Sequence, residues 1–169
     1  MKKPELIELS RVDFVTIDTI GPPGKRVFYL QAAQNDLLVT LIIEKEHAAA
    51  LSIAIQGLLL QLGEMKEQPL HIASGLVQPV RPLFRVGRLG LGYDETDDML
   101  VITAEELVTD ESRQGARVNI WGSRSQMAAL ARKAAVVVAS GRPLCPLCHE
   151  PLNPGERHVC TKGNGRRSV

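Results

Sequence analysis

All three cysteines of the chain and two of its four histidines fall in one short stretch. Cys145-Pro146-Leu147-Cys148 is followed, with nine residues between, by His158-Val159-Cys160, and His149 stands directly after Cys148. The spacing is C-x2-C followed by H-x-C, a set of three thiolates and one imidazole that suits tetrahedral zinc. A C-x2-C turn aims both sulfurs the same way, and Pro146 fits such a turn. Pro151, Asn153, Pro154 and Gly155 let the chain reverse, so that His158 and Cys160 return to the first pair. An H-x-C pair on extended backbone points both side chains to one side. Cys145, Cys148, His158 and Cys160 are therefore the expected ligands of a structural Zn2+. His149 follows Cys148 directly and is the reserve ligand. The alternatives are a Cys145–Cys148 disulfide or free thiols. Four protein ligands leave the ion no open position, which argues against zinc catalysis. The segment is too short for a core of its own, so metal is expected to order it.

Other residue groups could do chemistry, and each has a plainer alternative. Gly21-Pro22-Pro23-Gly24-Lys25-Arg26 could cradle an anion with backbone N–H groups and two cations, or be a hairpin loop with a solvated tip. It lacks the Walker pattern and opens no helix. Glu44-Lys45-Glu46-His47 could hold an acid/base pair, or be solvated charge in a first helical turn. Asp94, Glu95, Asp97 and Asp98 lack EF-hand spacing and read as a hairpin tip. His71 stands alone. Trp121 reads as core or edge packing. No G-x-S-x-G elbow, nucleophile–base pair or dinucleotide fingerprint is visible.

These residues need a body to position them. Apolar residues make up 44% of the 169, enough to fill a core, and net charge is +1, which gives no global footprint for nucleic acid. From Gly141 onward Arg142, Arg157, Lys162, Arg166 and Arg167 outnumber Glu150 and Glu156, so the tail carries a local positive excess. Residues Met1 to Arg11 are polar and charged, so no signal peptide is expected. No run approaches the ~20 apolar residues of a membrane span. A cytoplasmic protein is expected, where clustered cysteines more often bind metal than pair.

Strands are expected at Val12–Ile20, Val27–Ala33 and Leu37–Ile43, separated by Gly21-Pro22-Pro23-Gly24 and the tight turn Gln34-Asn35-Asp36. A helix is expected from Lys45 to Leu62, stopped by Gly63, with Leu51, Ala54, Ile55, Leu58, Leu59 and Leu62 on one face. Ile53 and Leu60 lie off that stripe; a wider buried face is the preferred explanation and a second subunit the other. After a connector, 64–82, strands follow at Leu83–Tyr93, Met99–Leu107 and Ala116–Trp121. Gly87, Gly90 and Gly92 suggest bulges or close backbone approach. A second helix opens with a Ser123/Gln126 capping box, presents Met127, Leu130, Ala131, Ala134 and Val138, and ends at Ala139-Ser140-Gly141. The expectation is an α+β domain, 1–141, of two βββα units (1–63 and 83–141) in one sheet or two packed sheets, their matching order being either a pseudo-symmetric repeat or coincidence, plus a zinc-knuckle tail, 142–169.

The stretches Thr19 to Ala32, Glu44-Lys45, Phe84-Arg85-Val86-Gly87, Leu91-Gly92-Tyr93-Asp94 and the tail from Gly141 through Cys160 carry a resemblance. The chain resembles an uncharacterised bacterial family, catalogued only as a domain of unknown function. It departs from that family in His149, where glycine is usual, and in Glu46, where glutamine is usual. The resemblance singles out Gly21, Gly24, Arg26, Gln31, Glu44, Lys45, Arg85 and Asp94. They could line one groove for an anionic small molecule, with Arg26, Lys45 and Arg85 as its cations, or be turns and ion pairs that the fold needs. It also implies gene neighbours resembling a histidine phosphatase and a kinase, and hence an adaptor role. The first expectation is a non-enzymatic, partner-binding module with structural zinc. The alternatives are an enzyme or binder acting on an anionic small molecule, and a single-stranded nucleic-acid binder. The absence of any aromatic residue in the tail weighs against the last.

Overall fold

The computed structural model describes residues 5–63, 73–153 and 155–163. Its elements are β1 (Leu6–Leu9), β2 (Phe14–Ile20), β3 (Val27–Gln34), β4 (Leu37–Ile43), α1 (Lys45–Leu62), β5 (Phe84–Asp94), β6 (Met99–Glu106), β7 (Arg117–Ser123) and α2 (Arg124–Ala139). The protein is mixed α+β, with a seven-stranded sheet in the order β1-β7-β6-β5-β4-β3-β2.

Both meanders follow from local signals. Asn35 takes φ 53° in the two-residue turn that joins β3 to β4, a conformation asparagine tolerates better than most residues. The second meander turns over residues 95–98. The β2–β4–α1 and β5–β7–α2 units lie side by side in one sheet and meet where β4 runs parallel to β5. That contact has only two register pairs, Leu41 with Phe84 and Ile42 with Arg85.

β1 was not anticipated. It is four residues long and Leu6 is 61% exposed, so it shows no strand-like apolar run. It forms by pairing in parallel with β7, more than a hundred residues away. The chain then crosses to the opposite edge of the sheet. Val12 N–H donates to Trp121 O, and Asp13 N–H donates to Ala33 O. Those two bonds bring the edges of the sheet together.

One face of the curled sheet and the two helices share a core that includes Ile17, Leu30, Leu41, Leu100, Ile102, Ile120, Leu51, Ile55, Met127 and Leu130. α2 packs chiefly on α1 and β2. Ser123 Oγ accepts from Gln126 N–H, and Gln126 Oε1 accepts from Ser123 N–H, the expected reciprocal cap. The helix faces differ from expectation in detail. Ile53 and Leu60 are 73% and 83% exposed, so the wider buried face is corrected. Ala54 is exposed too, while Ser52 is buried with its hydroxyl donating to Ala131 O at 2.8 Å. In α2, Val137 is buried and Val138 only partly. In β5 the bulge falls between Val86 and Arg88, at Gly87.

On the other face of the sheet, Thr16, Gln31 and Thr40 form a buried polar row across β2, β3 and β4. The end of the connector covers it. Gln31 Oε1 accepts from Val77 N–H at 2.7 Å, and its amide donates to Val77 O and Thr40 Oγ1. Thr16 Oγ1 donates to Ser74 O. The first part of the connector, with His71, lies outside the described residues, as do Pro154, Arg166 and Arg167.

Candidate functional site

Two features stand out: a sulfur-rich cluster beyond Ala139 and a cationic cleft to which Gly141 and Arg142 contribute. In the cluster, one donor atom from each of Cys145, Cys148, His158 and Cys160 lies within 4.8 Å of the others. Cys148 Sγ and His158 Nε2 are 3.3 Å apart. Tetrahedral zinc with thiolates at ~2.3 Å would hold sulfurs roughly 3.8 Å from one another, so this donor set closes on an ion with little movement. A chain reversal brings it together. Leu152 N–H donates to Pro143 O, Cys145 N–H to Glu150 O, and Leu144 bridges Pro151. The four residues can hold a metal ion.

His149 is exposed and outside the cluster. Its φ of 60° lies in the left-handed region that favours glycine. The N–H groups of Cys148 and Leu147 point at the Cys145 sulfur and lower its pKa to about 6, against its burial. Donors so placed favour the thiolate, the form a metal takes.

The cleft, about 430 Å³, opens where β3 begins, β4 ends and β5 starts. Arg26, Lys45, Arg85 and Arg142 line it, against Glu44 and Glu46, with Phe28 and Ile43 as apolar wall. The fold assembles these residues from four places in the chain. Arg26 precedes β3, and Phe28 pairs with Ile43 at the end of β4. Glu44 and Lys45 follow at the start of α1, and Arg85 stands opposite Ile42 in β5. Gly141 and Arg142 come directly after α2.

Arg26 stacks on Phe28 at 5.0 Å and donates from Nη1 to Val137 O at 2.9 Å and Ser140 Oγ at 3.1 Å, which satisfies one carbonyl and one hydroxyl at the end of α2. Arg85 pairs with Glu44 at 2.5 Å. Glu44 N–H donates to His47 Nδ1 at 3.1 Å. Two glycines give the cations room. A Cβ on Gly24 would come within 3.2 Å of the Arg142 side chain, and one on Gly141 within 3.0 Å of Arg26 Nη2 and 3.4 Å of Lys45 Nζ.

The eight residues singled out from sequence thus divide. Gly24, Arg26, Glu44, Lys45 and Arg85 line the cleft. Gly21 sits at the start of the β2–β3 turn, with φ 112°. Gln31 lies on the other face of the sheet, in the bonds to Val77. Asp94 ends β5, nine residues from Arg85 and so roughly 30 Å away at ~3.3 Å per residue. There its Oδ1 accepts from Thr96 N–H in a turn. Sequence reasoning placed Arg142 only among the basic residues of the tail. The available signal was a glycine-arginine pair at a helix stop, beside a loop that already carried Gly24 and Arg26.

Fold and cluster together define an α+β protein with a Cys/His cluster, able to hold a metal ion, after its last helix. The chain belongs to the family described as Protein of unknown function (DUF3090), which matches residues 7–160. No curated protein and no solved structure matches it. Among the described residues no helix is long and apolar enough to cross a membrane.

Proposed function

We propose that this protein binds a phosphorylated or otherwise anionic small molecule in the cleft at the end of β4, and that the Cys/His cluster holds a structural zinc beside it. One observation carries the reading. Four cations from separate segments face one cleft, and the two positions where a side chain would press on them are glycine. Among the described residues, Arg85 is the one of these cations with a carboxylate within salt-bridge distance, at Glu44. The amino end of α1 also faces the cleft through Lys45, and its dipole favours an anion there. For the metal, three thiolates and one imidazole match zinc, and four protein ligands leave it a structural role. The cleft favours this reading over the adaptor role.

The test is calorimetric titration of the metal-loaded protein with pyrophosphate, in parallel with an Arg26→Lys, Lys45→Ala double variant. Saturable one-to-one binding that weakens as salt rises, and weakens further in the variant, is the expected result. Equal heats from both proteins, or no binding at low salt, overturn the reading.

A further inference from the structure

Arg142 belongs to both features described above. Its side chain lines the cleft, in the space left by Gly24. Its Nη1 donates to Asn153 Oδ1 at 2.7 Å, and Asn153 belongs to the metal cluster's loop. Asn153 lies between the two ligand pairs, five residues after Cys148 and five before His158. A local turn holds it, in which Asn153 Nδ2 donates to Glu156 Oε2 at 2.6 Å and Glu156 N–H donates to Asn153 O at 3.2 Å. Among the described residues from Arg142 onward, only Cys145 and Cys160 are buried. The loop therefore has no apolar core, and closure of the four ligands on an ion is what fixes Asn153.

Resting on the anion-binding reading above, we infer that metal occupancy of the cluster sets the affinity of the cleft for its anion, through the Asn153 contact that positions Arg142. With metal bound, the ligand pairs are fixed, Asn153 holds one guanidinium nitrogen, and the rest of the guanidinium is presented to the cleft. Without metal, the loop loses its anchor and Arg142 becomes one more mobile surface cation. It then pays the entropy of ordering when an anion binds. Arg142 acts as a binding residue and Asn153 as its positioning residue.

The experiment is pyrophosphate titration of the full-length protein, metal-loaded and after chelation, for wild type, Asn153→Ala and Arg142→Ala, with metal content measured on each. Chelation is expected to weaken wild-type binding about tenfold, the scale of one charge-assisted contact. Asn153→Ala keeps all four ligands, so it should retain its metal and still show most of that loss. Arg142→Ala should show the loss with metal bound and little more after chelation. Wild-type affinity unchanged by chelation overturns the inference and leaves the anion site standing. So does full affinity in metal-loaded Asn153→Ala. Wild type that binds no pyrophosphate in either state overturns the anion site itself, and the inference with it.

Discussion

Gln31→Ala and Lys45→Ala should fail in opposite ways. Gln31 is fully buried, and its amide makes three hydrogen bonds, at 2.7, 3.0 and 3.2 Å, that fasten residue 77 and Thr40 to the sheet. At about 1 kcal/mol net for each bond, alanine removes about 3 kcal/mol, and the cavity adds to this. For a chain of this length 1 kcal/mol lowers Tm by ~2–4 °C, so a drop of about 10 °C is expected. Lys45 is exposed at the first position of α1, and alanine suits a helix, so its stability should change by less than ~0.5 kcal/mol. Its loss should instead weaken pyrophosphate binding about tenfold. Urea unfolding gives the first quantity, and titration at a temperature where both variants are folded gives the second. The assignment is refuted if Gln31→Ala binds pyrophosphate markedly less well while folded. It is equally refuted if Lys45→Ala binds as wild type does.

Three further outcomes are expected. Wild type is expected to carry roughly one metal ion per chain by native mass spectrometry; Cys145→Ser and His158→Ala should each lose it, whereas His149→Gly should keep it. That substitution also relieves a left-handed residue that costs ~1–2 kcal/mol, so Tm should rise. Ser123→Ala removes the cap of α2 and should cost about 1 kcal/mol by urea unfolding. The Ala116 N–H and then Arg113 hold the Glu106 carboxyl below its usual pKa. The folded state therefore favours the charged form. Its stabilisation is present above the ordinary carboxylate range and is lost as pH falls through and below it. Glu106→Gln should lower stability at neutral pH and flatten the acid-side decline.

The sequence made α1 legible because polar residues open it, a 3.6-residue apolar stripe runs along it and glycine ends it. It did not reveal Ser52 as a buried position, because that burial depends on the carbonyl of Ala131 in a helix far along the chain. β1 was hidden for a related reason. Its pairing partner is β7, and nothing local to Leu6–Leu9 specifies it. The Cys/His cluster was readable because a four-donor set that can close on one ion needs a recognisable spacing within a short segment. The cleft was not readable as a motif, because Arg26, Lys45, Arg85 and Arg142 have no fixed spacing along the chain.

What gathers those four is the way the two βββα units join. β4 and β5 pair over only two register positions before β4 turns into α1, so the sheet opens beyond Ile42. β3 runs antiparallel to β4, which sets the residue before β3 beside the residue after β4. Ligands in open α/β sheets collect outside the carboxyl ends of strands where neighbours part. The same geometry arises here, in a mostly antiparallel sheet, at a central parallel contact. An anion in that opening would meet Arg26 and Lys45 from the first unit, Arg85 from the second, and Arg142 at the head of the tail that carries the Cys/His cluster. It would tie together three segments that the backbone joins only weakly at this point. Ligand binding should therefore stabilise the fold against unfolding as a whole, and should protect the amides of Ile43 to Lys45 and of Phe84 to Val86 from exchange together.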